Sequence, residues 1–256
     1  LSESEAGSDA ASLRTKVERS GDGWILNGSK KWITNAGESE FYTVIAQGDP
    51  SLRTKGMTAF VVEKSDPGVS FGAPEKKMGM RGSPTREVYF DNVQLSDDRR
   101  ISEVGQGFAL AMATLDHTRI TIAAQALGIA SGAYELALKY SKERKAFGKE
   151  IMHHQAIAFK LADMATEIEA ARLLCLKSAW LKDQHLNYDR ASSMAKLFAS
   201  EVAMKTTVEA VQIHGGYGFV KEYHVERMMR DAKITQIYEG TSEIQKIVIS
   251  RSIIAG

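Results

Sequence analysis

The chain has 256 residues, 43% hydrophobic and 25% charged, which suits one large globular domain or two ordinary ones. A net charge of +1 gives no reason to expect nucleic acid or an anionic membrane as a partner. Apolar runs such as residues 120–130 are too short and too interrupted to span a bilayer, and the single cysteine, Cys175, excludes an intramolecular disulfide framework.

The opening Leu1-Ser2-Glu3-Ser4-Glu5 is acidic and polar, unlike a secretory signal, and a first residue other than Met leads us to expect a fragment. Glu5-Ala6-Gly7-Ser8-Asp9 follows as a small-residue turn, whose free N–H groups and Ser8 hydroxyl could hold an anion or carbonyl. All four prolines (Pro50, Pro67, Pro74 and Pro84) lie in the first third, where runs rich in β-branched and aromatic residues alternate with turn residues. Strands are expected around 24–28, 41–45, 58–62 and 87–90, giving an antiparallel β-barrel or sandwich over 1–98. In Lys31-Trp32-Ile33-Thr34, strand alternation puts Trp32 and Thr34 on one face, an aromatic plane beside a hydroxyl. Such a pairing suits a flat heteroaromatic cofactor, and it equally suits a core tryptophan at a strand end.

No proline occurs from Thr85 onward, as long helices require. Phe108, Met112, Leu115 and Ile120, then Phe159, Leu161, Met164 and Ile168, recur near the helical period. Helices are expected over about 103–142, 152–184, 188–213, 222–230 and 242–253, forming an antiparallel four-helix-type bundle over 99–256 and an α+β chain overall. Gly128 and Gly132 mark either a helix contact or a tolerated bend. Cys175, in an apolar helical run, reads as a buried structural thiol.

The six histidines show no metal-ligand spacing; His153 and His154 are adjacent and point to different faces of a helix. No nucleophile elbow, Walker loop or dinucleotide fingerprint occurs. Gln212-Ile213-His214-Gly215-Gly216-Tyr217-Gly218 carries more glycines than one helix cap needs, which suggests backbone approaching a phosphate or ribose. Ser242 with Gln245 forms a capping box that starts the last helix. Glu239 stands just ahead of it, flanked by Ile237 and Tyr238. A carboxylate in an apolar setting makes a general base, although a loop glutamate taken at random is more often solvated.

Together these segments resemble the acyl-CoA dehydrogenase family, in its bacterial short- and medium-chain type. The likeness rests on Leu1-Ser2-Glu3-x-x-Ala6-Gly7-Ser8-Asp9, Trp32-Ile33-Thr34, Arg144-Lys145-Ala146-Phe147-Gly148, Met229-Arg230-Asp231-Ala232-Lys233-Ile234 and Ile237-Tyr238-Glu239-Gly240-Thr241. The resemblance implies FAD between the β domain and the bundle, contacted by Leu1, Ser2, Gly7, Ser8, Trp32, Ile33 and Thr34. It implies that Arg144, Lys145, Ala146, His154, Gln155, Gln212, Ile213, His214, Gly215 and Gly216 complete the site of a neighbouring subunit, hence a homotetramer. Gly240, Thr241, Ser242 and Glu243 would close over the flavin. Substrate would meet Ser8, Asp116, His117, Thr118, Arg119, Glu239 and Gly240, the Asp116 and Arg119 pair matching the family's CoA contacts.

In the mechanism so implied, Glu239 removes the α proton of a short- or branched-chain acyl-CoA whose carbonyl is held by the Glu239 N–H and a ribityl hydroxyl. Hydride passes to the flavin, trans-2-enoyl-CoA leaves, and an electron-transfer flavoprotein takes the electrons. One branch of the family carries its base at the position of Thr118, which cannot serve, so isovaleryl-type and long-chain-type enzymes fit less well. An aspartate-based nitroalkane oxidase also fits less well. Two departures stand out: Ser4 replaces the family's usual proline, and the N-terminal helical domain that walls the acyl pocket is missing. Rival readings are an acyl-CoA oxidase and a non-catalytic scaffold. Retention of Glu239, Trp32, Thr34 and Arg144 together argues against the scaffold. The expected location is the bacterial cytoplasm, or the mitochondrial matrix in a eukaryote.

Overall fold

The computed structural model describes residues 1–255, which form two compact units: residues 1–77 with 81–114, and residues 78–80 with 115 onward. Six strands build the sheet of the first unit: β1 (Lys16–Ser20), β2 (Gly23–Thr34), β3 (Phe41–Gln47), β4 (Met57–Glu63), β5 (Val69–Phe71) and β6 (Thr85–Ser96), ordered β4-β3-β1-β2-β6-β5. Its core gathers Val17, Trp24, Leu26, Val44, Phe60, Val62, Val88, Phe90, Val93 and Leu95. Within β2, Trp24 and Leu26 point inward and alternate with more exposed neighbours, as period two requires.

The expected antiparallel barrel or sandwich is corrected. The sheet is open and mixed: β1 pairs parallel with β3 through Lys16↔Gln47, and no pairing among the described residues joins β4 to β5. The cause is the chain path. After β2 the chain crosses beyond β1 to form β3, so β1 and β3 both run opposite to β2 and parallel to each other.

Five helices make the second unit: α1 (Gly107–Glu143), α2 (Gln155–Asp183), α3 (Asp189–His214), α4 (Val225–Ala232) and α5 (Ser242–Ile254). A two-stranded hairpin, β7 (Lys145–Ala146) and β8 (Lys149–Glu150), joins α1 to α2. The α1 seam is Ala123, Ala126, Ala130, Ala133 and Ala137, all fully buried and spaced three and four apart. On α2 the seam is Leu161, Met164, Ile168, Ala171, Cys175 and Ser178. Small residues on α1 and on α3 (Ala195, Ala199, Ala203) close one shared core. Of the two glycines singled out on α1, a side chain at Gly132 would meet Met228 of α4, whereas Gly128 faces open space. Burial holds the Cys175 thiol up at about 11, so it stays protonated.

The units divide after Thr114, inside α1, whereas composition places a boundary at 98/99. Phe108 and Ala111, on the first turns of α1, pack with Ile45, Met57 and Ala59. Residues 78–80 belong with the helices: Arg230 donates to the Met78 carbonyl at 2.8 Å, and Asp231 accepts the Met80 amide at 2.5 Å.

Candidate functional site

Glu239 lies between α4 and α5 in a turn of two consecutive residues at positive φ, Glu239 at 56° and Gly240 at 87°. A glutamate in this region is uncommon and persists only where its surroundings hold it there. The hold comes from inside the helical unit. Gln245, fully buried on α5, donates its side-chain amide to the carbonyls of Glu239 (3.2 Å) and Gly240 (2.9 Å). Lys196, fully buried on α3, donates Nζ to the Gly240 carbonyl at 2.6 Å. The φ of 87° favours glycine at position 240, and a Cβ there would stand 2.7 Å from the Gln245 amide nitrogen and press on that brace of the turn.

The Glu239 side chain is half-buried, and its Oε2 accepts the Thr118 hydroxyl of α1 at 2.7 Å. Tyr238, one residue earlier, donates its hydroxyl to Gln125 of α1; burial raises its pKa. The expected capping box is corrected. Thr241, one residue before Ser242, is the N-cap of α5 and accepts the Ile244 amide at 3.3 Å. Ser242 is buried and donates to Glu201 at 3.0 Å, and Gln245 is committed to the Glu239–Gly240 carbonyls.

Asp116 and Arg119 form an ion pair on α1, with Arg119 also 3.4 Å from the Ser193 hydroxyl. Arg119 is buried, at 5% exposure, and its Nε has no hydrogen-bond partner among the described residues. Burial raises the Asp116 pKa, Arg119 opposes this, and Asp189 adds to it. His117 faces solvent.

A second cluster surrounds an open groove of about 510 Å³ lined by Tyr140, Arg144, Ile213, His214, Gly215, Gly216 and Tyr217. Gly215 caps α3 at φ 58°, and a side chain at Gly218 would collide with the Val211 carbonyl. Gly216 meets neither demand: its φ is not positive, and no described atom lies within 4 Å of a Cβ built there. Tyr140 stacks on His214 at 4.3 Å, and the Arg144 guanidinium lies 5.6 Å from the Tyr217 ring. Burial lowers the His214 pKa, while its Nδ1 lies 2.7 Å from the Ala210 carbonyl. The β7–β8 turn, Phe147-Gly148, leaves Phe147 97% exposed, and His154 Nε2 lies 2.9 Å from the Ala146 carbonyl. Lys145 pairs with Glu150 at 3.3 Å, Gln155 and Gln212 are exposed, and Ile213 is part of the core.

In the first unit, β2 is bulged. Lys30 opposes Val88 and Ile33 opposes Arg86, so one extra residue is inserted, and Trp32 sits at φ 63°. A bulky aromatic at this φ is strained, and Trp32 is 58% exposed. Thr34 is exposed too, while Ile33 between them packs on the core. The N-terminal turn is anchored by Glu3, whose carboxylate accepts the Arg14 and Thr15 amides at 2.7 and 2.9 Å and pairs with buried Lys30 at 2.7 Å. Lys30 also donates to the Leu1 carbonyl, and the Lys31 amide donates to Ser2. Gly7 and Ser8 are exposed beyond this anchor. Within the units, Thr118, Glu239 and Gly240 thus come together, as do Arg144 and Ile213–Gly216. Lys196, Gln245 and Lys30 were not among the expected site residues.

Residues 1–93 match the model of the acyl-CoA dehydrogenase middle domain, and residues 105–254 match that of the acyl-CoA dehydrogenase C-terminal domain. A probable acyl-CoA dehydrogenase, fadE25, of Mycobacterium leprae is 53% identical over 99% of this chain, which spans 66% of that relative. The butyryl-CoA dehydrogenase structure from Megasphaera elsdenii superposes with a TM-score of 0.98 at 47% identity, covering 99% of this chain and 67% of that one. A chain from structural work on the electron transferring flavoprotein of Acidaminococcus fermentans superposes at 0.99 with 50% identity, covering 100% and 67%. The chain belongs to the acyl-CoA dehydrogenase family, and it spans slightly less than two thirds of the mycobacterial relative.

Proposed function

We propose that the protein to which this chain belongs dehydrogenates a short- or branched-chain acyl-CoA to the trans-2-enoyl-CoA, with Glu239 as the base. One observation carries the reading: an uncommon backbone turn, braced from within by Lys196 and Gln245, presents the Glu239 carboxylate beside the Thr118 hydroxyl. Glu239 Oε takes the α proton, and the Glu239 N–H polarises the thioester carbonyl, an oxyanion-type stabilisation of the enolate. Thr118 orients the carboxylate. Ser8, Asp116, His117, Arg119 and Gly240 are the remaining proposed substrate contacts.

The residues present fit FAD. In the first unit, strained and exposed Trp32 offers a stacking plane and Thr34 a hydroxyl, with Leu1, Ser2, Gly7, Ser8 and Ile33 beside them in the proposed set. In the helical unit, Arg144 and the open backbone at Gly215 and Gly216 suit a phosphate, joined by Lys145, Ala146, His154, Gln155 and Gln212–His214. We assign this second set to a cofactor bound chiefly by a neighbouring subunit of a homotetramer. Gly240, Thr241, Ser242 and Glu243, which would close over the flavin, are the remaining proposed cofactor contacts. FAD, when bound, accepts the hydride from the β carbon. The proposed electron acceptor is an electron-transfer flavoprotein, and the proposed location is the bacterial cytoplasm, in keeping with the bacterial relatives. The domain assignment proposed is a β domain on the flavin side, 1–98, and a bundle carrying the base, 99–256.

The test is spectroscopic. Full-length protein should be yellow and should bleach anaerobically on addition of butyryl-CoA or a branched analogue. Protein that stays colourless after reconstitution with FAD would sink the reading.

A further inference from the structure

Lysine is among the residues least often buried, because taking an ammonium out of water is costly unless it is paired. Lys196 nonetheless sits at zero exposure in the middle of α3, between Ala195 and Ala199 of the bundle core. Its one hydrogen bond among the described residues runs to the Gly240 carbonyl at 2.6 Å, directly behind Glu239. That carbonyl also accepts Gln245, so two side chains from two helices converge on the second residue of the strained turn. The Glu239 carboxylate, by contrast, has a single side-chain tether, to α1.

We propose that Lys196 is a positioning residue for Glu239: in its ammonium form it clamps the Gly240 carbonyl and holds the Glu239–Gly240 turn in the conformation that presents the carboxylate. The inference rests on Glu239 being the base. A charge-assisted hydrogen bond is about twice as strong as a neutral one, so the grip depends on protonation. The groups that bear on that proton come from several elements. Burial and Arg119 of α1 disfavour the ammonium; Glu239, Glu201 of α3 and Glu243 of α5 favour it. The balance brings the Lys196 pKa down to about 8. The clamp is therefore strong at neutral pH and weakens above it.

The experiment uses full-length, FAD-loaded protein with Lys196→Gln, which keeps a donor without charge, and Lys196→Met, which keeps neither. Amide hydrogen exchange of the 236–245 segment is the first readout. Exchange should rise about tenfold in Lys196→Met and by less in Lys196→Gln, with the rest of α5 unchanged. Kinetics are the second readout. At neutral pH kcat should fall about tenfold in Lys196→Gln, with KM for butyryl-CoA within about twofold, the mark of a geometry lost only in the reacting state. Wild-type kcat should decline above about pH 8, and that step should be absent from the Gln variant, which has nothing there to titrate. Lys196→Gln with wild-type exchange, or with the alkaline step still in place, would overturn the proposal even if Lys196→Met failed to fold. Glu239→Gln, run in parallel, separates the two claims: it should lose at least about 10²-fold in rate while binding flavin and ligand normally. A wild-type rate in Glu239→Gln would remove the base, and with it the inference; an effect of Lys196 confined to stability would remove the inference alone.

Discussion

Two lysines are driven into the interior, one in each unit, and their surroundings differ. Lys30, at 2% exposure, meets the Glu3 carboxylate at 2.7 Å and the Ile45 and Leu1 carbonyls at 2.8 and 3.3 Å. Glu3 in turn is saturated by the Arg14 and Thr15 amides. Burial lowers the Lys30 pKa and Glu3 pushes it back. Lys196 has no carboxylate in hydrogen-bond contact, only the Gly240 carbonyl, and like-charged Arg119 bears on it. A matched, saturated pair fixes architecture: it staples the N-terminal turn to the sheet. A cation left unmatched stays close to its titration point and suits a part whose geometry matters more than its stability.

The largest effect should come from breaking the matched pair. Glu3→Gln would leave the Lys30 ammonium buried without a counter-charge, at a cost of about 3–5 kcal/mol measured by urea unfolding. Replacing both, Lys30→Met with Glu3→Gln, should recover most of that loss, because the side-chain carbonyl of Gln still accepts from the Arg14 and Thr15 amides and the buried charge is gone. For Glu3 itself, burial raises the pKa, but the Lys30 charge and hydrogen bonds together with the amides outweigh it, and the net shift is downward from 4.5. Its contribution is therefore present above the ordinary carboxylate value and disappears as pH falls through the depressed one. A double variant no more stable than Glu3→Gln would contradict the staple.

The unmatched lysine predicts a pH effect of opposite sign for stability and for turnover. Its pKa falls from 10.5 in the unfolded chain to about 8 in the fold, so between these values the unfolded state binds more protons. Stability against urea should rise with pH across that window, by up to about 3 kcal/mol, and the rise should be missing from Lys196→Met. Turnover should fall over the same window. Parallel trends in the two measurements would break the contrast between the lysines.

How much of this was legible in the sequence depends on what each residue's pattern encodes. The proline-free stretch and helical spacing located all five helices to within a few residues, and Glu239 was visible through its motif. β1 was not: in Lys16–Ser20 only Val17 is buried, so it carries no alternation. Nor were the three-residue β5 and the two-residue β7 and β8. The parallel β1–β3 contact depends on chain path, which no local pattern records. On α2 the apolar spacing was right for Leu161, Met164 and Ile168, which lie on the seam, and wrong for Phe159, which is exposed, as are the apolar Leu173, Leu176 and Trp180 farther along the helix. Lys196 reads as a surface lysine. The available clue was that α3 carries Ser, Thr and Ala on almost every face, leaving little of the charged stripe that a solvated helix shows.

The smallest effect should come from the other end of the Glu239–Gly240 turn. Thr118→Val keeps the shape of the side chain and removes the hydroxyl that donates to Glu239 Oε2 at 2.7 Å. Glu239 is half-buried, so water can take the vacated place, and the loss should be near 1 kcal/mol, roughly fivefold in kcat. Thermal stability should hardly change, because a β-branched residue remains at the same point on α1. The informative measurement is the double variant with Lys196→Gln. Thr118 tethers the carboxylate and Lys196 braces the backbone behind it, so both act on one geometry. Once the backbone is released, the tether has less to align, and the combined loss should be smaller than the product of the single losses. Independent effects that multiply in full would mean that the turn and its carboxylate are positioned separately, and that the brace serves the fold alone.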